Sequence, residues 1–275
     1  MGDTKSVFPD FIASGAGPSG VVKGGYELLL ETVDVRVDTS WQYMSKVVTS
    51  WRPWMFRAMG GARMVCAGAT VTGQPGRLVH LWRVPQGFST AKLFNAVSEH
   101  SGTPAGHWLA EFTQSIERVT YDVLTPTYYD PARHWPDEGP ATCTVVPPET
   151  RAGERPVRLI DVIDVKPGRL KALADVKAGQ FVPQADGLGV HLMASGTSAT
   201  GLGRRLVQVW ELSRADTLLA SMRRFSEAGW YQKMLRENVV SERQDLLYPL
   251  AWYDPHPALA SDPNDPTRRC WRYGT

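Results

Sequence analysis

The stretch Arg77-Leu-Val-His-Leu-Trp82 recurs 128 residues later as Arg205-Leu-Val-Gln-Val-Trp210. Farther along, Tyr129-Asp-Pro131 is matched by Tyr253-Asp-Pro255, so the matches follow the same order in both halves. Self-similarity of this kind indicates that one structural unit has been duplicated. We therefore expect two diverged copies of one unit in this chain of 275 residues.

Each copy has the pattern of strand, helix, strand, strand, helix, strand. In the first copy, residues 26–37 are rich in Leu, Val and Thr, and Trp41, Met44 and Val48 then recur at helical spacing. Turn residues at 72–76 join the next two strands as a hairpin. This order is that of the ferredoxin-like fold, whose sheet has helices on one face only. The predicted fold class is α+β, with two tandem ferredoxin-like (βαββαβ) repeats packing their bare sheet faces together as a fused dimeric α+β barrel.

Segments rich in proline and glycine mark the expected domain boundaries. Five prolines without any period between 132 and 156 are typical of an extended linker. The predicted parts are a flexible N-terminal arm (1–24), a first ferredoxin-like repeat (25–131), the proline-rich linker (132–156), a second repeat (157–254) and a C-terminal tail (255–275).

Alternation along the matched strands separates two sets of side chains. Val79 and Leu81, with their counterparts in the second copy, form an aliphatic set that we expect to face the helices. The other set mixes aromatic and polar groups and is predicted to line the cavity between the sheets: Leu78, His80 and Trp82, with Leu206, Gln208 and Trp210.

The same alternation assigns residues of the preceding strand to the cavity. It separates Arg63, Val65 and Ala67 from Met64 and Cys66, and in the second copy it separates His191, Met193 and Ser195 from Leu192 and Ala194. The predicted catalytic residues are His80, Gln208, Arg63 and His191. The predicted substrate-binding residues are Trp82, Trp210, Leu78, Val65, Met193, Trp54 and Tyr128.

His80 is the leading candidate for chemistry. A neutral imidazole accepts a proton near physiological pH, so His80 would act as a base in an apolar cavity with few polar groups. The alternative is a hydrogen-bonded core histidine. Arg63 and His191 occupy equivalent positions, at the mouths of the cavity or at solvated strand ends.

Composition restricts the partners and the setting. A net charge of +2, with both signs scattered, offers no continuous basic face for nucleic acid. Three widely spaced cysteines predict neither a disulfide framework nor a zinc site, and no metal-binding motif is present in the sequence. With no leader-like or membrane-spanning segment in the sequence, we expect a soluble cytoplasmic protein. Ten tryptophans favour pockets for flat aromatic ligands.

Gly60-Gly61, Arg77-Leu-Val-His-Leu-Trp82, Trp108 and Thr125-Pro-Thr127 form a pattern that resembles the NIPSNAP-like branch of the dimeric α+β barrel superfamily. That superfamily also contains the antibiotic biosynthesis monooxygenases. The duplicated length and the tryptophan-rich interior resemble, more narrowly, the oxygenases that open or contract the B ring of angucycline polyketides in the jadomycin, gilvocarcin and kinamycin pathways.

The resemblance implies an oxygenase that acts on a polycyclic hydroquinone with dioxygen, with oxidative C–C cleavage or rearrangement. Trp82 and Trp210 would flank the rings, His80 would take a phenolic proton, and Gln208, Arg63 or His191 would polarise a quinone oxygen. It implies no tightly bound cofactor, although diffusible reduced flavin (FADH2 or FMNH2) from a separate reductase is expected in the narrower family.

Three other functions remain open at this point. The cavity would also suit a NIPSNAP-like protein that binds a hydrophobic ligand without catalysis, or a polyketide cyclase. Heme enzymes share the fold, with His80 or His191 as the axial ligand in that case. Homodimerisation of the fused unit is also open.

Overall fold

The computed structural model describes residues 26–39, 43, 47, 51, 54–55, 58–59, 62–72, 74, 76–99, 110, 113–129, 157–198, 204–212 and 215–248. The predicted N-terminal arm (1–24), the linker (132–156) and the tail (255–275) lie outside these residues, and so does most of the first predicted helix. The domain boundaries therefore stay predictions. No helix in the described ranges is both long enough and apolar enough to cross a bilayer.

Within the described residues, eight strands and their helices give an α+β fold, as predicted. The strands are β1 Tyr26–Val35, β2 Arg63–Thr70, β3 Arg77–Pro85, β4 Ile116–Tyr129, β5 Val157–Val165, β6 Val190–Ser198, β7 Arg205–Leu212 and β8 Val239–Tyr248. The helices are α1 Thr90–Glu99, α2 Leu170–Val176, α3 Val182–Asp186, α4 Ala215–Glu227 and α5 Gly229–Asn238, with a 3-10 turn at Val37–Thr39 and a π-helical turn at Lys177–Phe181.

The described residues divide into two compact units. The first unit contains residues 26–123 and 247–248, and the second contains residues 124–129 and 157–246. In the first unit, β3 pairs antiparallel with both β1 and β2, and the end of β8 lies beside β2. In the second unit, β7 pairs antiparallel with both β5 and β6, and the end of β4 lies beside β6. The strand order is therefore the same in the two units.

The hairpin predicted at 72–76 is confirmed by the pairing of β2 with β3. Gly76 has a φ of 79°, a left-handed conformation that favours glycine. A Cβ atom at this position would lie 2.4 Å from the carbonyl oxygen of Val35, which leaves no room for a larger residue. Glycine thus permits the close approach of the hairpin to the end of β1.

A β-bulge shifts the alternation in β2. Met64 pairs with Trp82, but Cys66 rather than Val65 pairs with Leu81. The extra residue moves every later side chain of β2 to the other face of the sheet. The predicted grouping of Met64 with Cys66 is therefore wrong.

The same shift occurs in β6, where Leu192 pairs with Trp210 and Ala194 pairs with Val209. Leu192 and Ala194 were predicted to share a face, and the bulge at Met193 separates them. The bulges lie at equivalent places in the two units, so one error recurs in both halves of the prediction.

The aromatic faces of β3 and β7 pack against the helices. Leu78 and Trp82 belong to one buried core with Trp51, Trp54 and Leu93 of α1. The corresponding core of the second unit contains Leu206 and Trp210 of β7, with Leu173, Phe181, Phe225 and Met234 of the helical segments. The prediction that these faces point away from the helices is wrong. Large rings are needed to fill the space between a helix layer and a sheet, whereas Val79 and Leu81 are buried on the opposite face.

Candidate functional site

A pocket of about 200 Å³ lies within the second unit, between its sheet and its helices. The lining side chains come from four strands, the π-helical turn and the two long helices: Leu159, Val190, Trp210, Glu242, Gln244, Phe181, Leu218, Ser221, Phe225, Ser226 and Tyr231. Most of this wall is apolar, with a few polar groups, which is the usual composition of a small-molecule site.

Aromatic rings form much of the pocket wall. Phe181 stacks on Phe225 with ring centroids 4.3 Å apart and planes inclined at 28°. The ring of Tyr231 lies 5.6 Å from Phe181 at 27°, so three rings are close to parallel. Trp210 meets Phe181 edge to face, at 5.3 Å and 70°. Near-parallel rings closed off by a crosswise ring favour a flat occupant.

Two polar side chains of the pocket wall converge on the carboxyl group of Glu242. The hydroxyl of Tyr231 and the side-chain amide of Gln244 each donate to Glu242 Oε1 at 3.4 Å. Ser221 and Ser226 also line the pocket, but their hydroxyls donate to carbonyl oxygens of their own helix. The pocket therefore has one polar end, which consists of Glu242, Tyr231 and Gln244.

Behind this polar end lies a buried ion cluster. Lys177 Nζ donates to Asp161 Oδ2 at 2.8 Å and to Gln208 Oε1 at 2.9 Å. Lys177 is fully buried, and its Nζ lies 3.9 Å from Glu242 Oε1. Asp161 Oδ1 has no hydrogen-bond partner among the described residues, although Asp161 is only 1% exposed. One cation therefore faces two carboxyl groups here.

The π-helical turn Lys177–Phe181 supplies residues to both the ion cluster and the pocket wall. Turns of this kind insert one residue into a helix and often occur at functional sites. Here the turn has Lys177 at its first position, bonded to Asp161, and Phe181 at its last position, in the pocket wall. It therefore joins the charged cluster to the aromatic wall.

The pKa of Glu242 is raised from its ordinary value of 4.5 to about 7, chiefly by burial. The negative charge of Asp161 contributes to this rise, whereas the positive charge of Lys177 and the hydrogen bond from Tyr231 oppose it. The pKa of the Tyr231 hydroxyl is raised by burial and by the charge of Glu242, so Tyr231 remains a hydrogen-bond donor. A carboxyl group with a pKa near neutrality can both accept and return a proton.

The first unit has a buried polar cluster at the corresponding register. Glu31 pairs with His80 along β1 and β3, as Asp161 pairs with Gln208 along β5 and β7. His80 Nδ1 is hydrogen-bonded to Glu31 Oε2 at 2.9 Å, and Trp82 Nε1 donates to the same oxygen at 2.9 Å. Tyr121 also bonds Glu31, and the pKa of its hydroxyl is raised by burial and then by that carboxylate. Glu31 thus accepts hydrogen bonds from several donors within the core.

The two units differ at the position of the pocket carboxyl group. Leu247 of β8 pairs with Thr70, the last residue of β2. Leu124 of β4 pairs with Ser198, the last residue of β6, so the two leucines hold equivalent positions. Five residues before these leucines stand Val119 in β4 and Glu242 in β8. Val119 packs against the apolar core of the first unit. The carboxyl group that reaches the pocket is therefore a feature of the second unit.

Of the four predicted catalytic residues, Gln208 accepts a hydrogen bond from Lys177, whose Nζ lies 3.9 Å from Glu242 Oε1. His80 is fully buried against Glu31, which is the arrangement of a hydrogen-bonded core histidine. His191 lies on β6, partly exposed and hydrogen-bonded to Asp186. The backbone of Arg63 pairs with Arg83, and its side chain lies outside the described part of the structure. Their catalytic roles stay predictions.

Of the seven predicted substrate-binding residues, Trp210 lines the pocket. Trp82 and Leu78 are buried in the core of the first unit, with Trp54, which stacks on Trp51 at 5.0 Å. The remaining three residues lie apart from that core: Val65 at the bulge of β2, Met193 at the bulge of β6, both buried, and Tyr128 packed partly buried against the core of the second unit.

Sequence reasoning missed Glu242, Lys177 and Asp161. One signal was available: Asp161 interrupts the apolar run Leu159–Ile163 of β5, as Glu31 interrupts the apolar strand β1. A charge within such a run indicates a buried, paired group. Lys177 and Glu242 have no comparable signal, because each lies in an amphipathic segment.

No group of three or more His, Cys, Asp or Glu side chains that could hold a metal ion occurs in the ranges that the structure describes.

The pocket of the second unit has a volume of about 200 Å³, which is below the roughly 300 Å³ at which pockets for cofactors begin. A whole flavin would extend beyond the volume of this pocket.

No protein-family model matches the chain, and neither does any curated protein. Its structure is similar to that of an anthrone oxidase-like protein, with a TM-score of 0.52 and 14% identity over 87% of this chain and 98% of that chain. It is also similar to candidate monooxygenases from Lactobacillus acidophilus (10% identity) and Fusobacterium nucleatum (14% identity), each with a TM-score of 0.50 over 82% of this chain and 93% of theirs. At these identities the likeness shows the fold alone.

Proposed function

We propose that this protein is an oxidative enzyme that binds a phenolic aromatic substrate in the pocket of the second unit and takes its hydroxyl proton with Glu242 for reaction with dioxygen. The observation that carries the proposal is a carboxyl group with a pKa of about 7 at the single polar end of an aromatic pocket. The names of the structurally similar proteins, among them an anthrone oxidase-like protein, agree with such chemistry.

The proposed reaction is balanced without a metal or an external reductant. Glu242 accepts the phenolic proton, and the phenolate passes one electron to dioxygen. The resulting phenoxyl radical and superoxide combine at a ring C–H carbon, which forms a C–O bond and, after protonation, a hydroperoxide. Removal of the remaining hydrogen from that carbon breaks the O–O bond and releases water. One oxygen atom ends in the quinone product and the other in water.

The residues around Glu242 have separate parts in this proposal. Tyr231 and Gln244 donate to Glu242 Oε1 and so hold the carboxyl group in place. Asp161 favours the protonated form of Glu242 by its charge, while Lys177 limits that effect. The rings of Phe181 and Phe225 exclude water from the reacting oxygen species. A base with a pKa near the working pH is the most effective proton acceptor.

The finer predictions belong to this proposal as well. We propose that the two units are tandem ferredoxin-like repeats, since their strand order and bulges correspond. Angucycline-type substrates, C–C cleavage and reduced flavin from a separate reductase rest on the sequence resemblance alone, whereas a cytoplasmic setting rests on the number and spacing of the cysteines. The proposed reaction does not use flavin. Binding of a hydrophobic ligand without turnover is the rival function.

Oxygen uptake with 1-naphthol tests the proposed function, since its oxygenation to 1,4-naphthoquinone consumes one dioxygen and releases one water. We expect uptake without flavin, one atom of ¹⁸O from ¹⁸O₂ in the product, and a rate that rises with pH through about 7 as Glu242 loses its proton. Glu242→Gln should lower the rate by roughly 100-fold or more, the usual contribution of a general base.

Glu227→Gln is the matched control, because Glu227 is an exposed carboxylate at the end of α4. It should keep the full rate. If the enzyme binds the phenol and consumes no oxygen, with or without reduced flavin, the ligand-binding function replaces the proposed one. If Glu242→Gln matches the wild-type rate, Glu242 is not the base.

A further inference from the structure

The dimensions of the pocket restrict the substrate beyond its being a phenol. A cavity of about 150 Å³ holds a single benzene ring. The pocket of about 200 Å³ is only slightly larger. A tetracyclic molecule would need a volume in the range of roughly 300 Å³ and above, where pockets for drug-sized ligands begin.

The shape of the pocket agrees with its volume. The rings of Phe181, Phe225 and Tyr231 lie within about 40° of parallel, and Trp210 crosses Phe181 at 70°. Phe225 is central to this arrangement, because it contacts Phe181 and Tyr231 and also meets the ring of Trp230 edge to face at 6.3 Å. An occupant that displaced Phe225 would break three ring contacts.

The polar groups restrict the occupant at its other end. Tyr231 and Gln244 both converge on Glu242 Oε1, so the pocket recognises hydrogen-bonding groups at one point. The remaining lining side chains are apolar or, like Ser221, bonded within their helix. A molecule with polar groups at both ends would leave one of them without a partner, at a cost of about 1 to 3 kcal/mol.

We infer that the pocket of the second unit selects a flat phenol of one or two fused rings, with its hydroxyl at Glu242 and with Phe225 setting the upper size limit. This inference rests on the proposed function and narrows its substrate class. It places the intact angucycline skeleton of four rings outside the range of this pocket.

The size limit can be tested by calorimetric binding without oxygen, with 1-naphthol, 9-phenanthrol and 1-hydroxypyrene as phenols of two, three and four rings. Burial of apolar area alone would favour the largest ligand, because each additional buried Å² contributes about 25 cal/mol. We expect the opposite order: 1-naphthol should bind at least tenfold more tightly than 1-hydroxypyrene.

Phe225→Ala should reduce or reverse this preference, and Phe225→Leu should do so in part while keeping the core filled. Phe94→Ala is the matched control, since Phe94 is 54% exposed in the first unit, and it should leave the preference unchanged. Equal or tighter binding of 1-hydroxypyrene to the wild type would overturn the size limit, even if oxygen uptake were normal. Selective binding of 1-naphthol without oxygen uptake would support the limit and refute the oxygenase function.

Discussion

Replacement of Glu242 by Gln should change how the stability of the protein depends on pH. The pKa of this carboxyl group is raised in the folded protein to about 7, from 4.5, chiefly by burial. Below about pH 4.5 the group is protonated in both the folded and the unfolded state. Between 4.5 and 7 the unfolded chain has lost the proton while the folded chain retains it, so the free energy of unfolding falls as the pH rises. Above about pH 7 the loss is complete.

The size of the stability loss follows from the difference between the folded and unfolded pKa of Glu242. A rise from 4.5 to about 7 corresponds to about 3 kcal/mol of lost stability, at about 1.4 kcal/mol for each pH unit. The side chain of Glu242 is only 16% exposed, so solvent screening is limited. A glutamine amide cannot ionise, and its NH2 group offers a donor to Asp161 Oδ1. The free energy of unfolding of Glu242→Gln should therefore not fall in this way as the pH rises.

Urea unfolding of the wild type and Glu242→Gln at pH 5, 6, 7 and 8 measures this difference. The variant should gain stability relative to the wild type as the pH rises, by up to about 3 kcal/mol between pH 5 and pH 8. Glu227→Gln should follow the wild type at every pH. A constant difference between wild type and Glu242→Gln across this range would refute the raised pKa, and with it the reason for choosing Glu242 as the base.

Two further predictions concern the buried acids. Asp161→Asn should move the pH midpoint of oxygen uptake to lower values, because the charge of Asp161 raises the pKa of Glu242; an unchanged midpoint would contradict the coupling. Glu31→Ala should lower the free energy of unfolding in urea by about 2 to 4 kcal/mol, since His80 and Trp82 would lose their buried acceptor. The exposed Asp38→Ala serves as its comparison, and a loss below about 1 kcal/mol for Glu31→Ala would show that the cluster is dispensable.

Much of the local structure could be predicted from the sequence. The match of residues 77–82 with residues 205–210 predicted paired hairpins, and the structure has the same strand order in both units. Turn chemistry at 72–76 predicted the first hairpin, because glycine and proline act through local backbone geometry. Composition favoured an aromatic pocket, but Trp210 was predicted to line a cavity between the sheets, whereas it lines the pocket between the sheet and the helices of the second unit.

Which face of the sheet each side chain occupies could not be obtained by counting alternate residues along a strand. A single extra residue at Val65 and another at Met193 reverse the alternation in β2 and β6. A bulge depends on the pairing with the neighbouring strand, so its position is not visible in one strand alone. Which face the helices cover is also a matter of packing, and the large rings of Trp82 and Trp210 lie beneath them.

The amino-acid sequence by itself determined the self-similarity of the two halves, the order of the described strands and the aromatic character of the interior, because these depend on neighbouring residues and on repeated patterns. Only the tertiary structure decided where the candidate site lies. Asp161, Lys177, Gln208 and Glu242 are spread over 82 residues of chain and meet only when the sheet and the π-helical turn are assembled. The raised pKa of Glu242 follows from this arrangement, since burial and the charge of Asp161 act through space rather than along the chain.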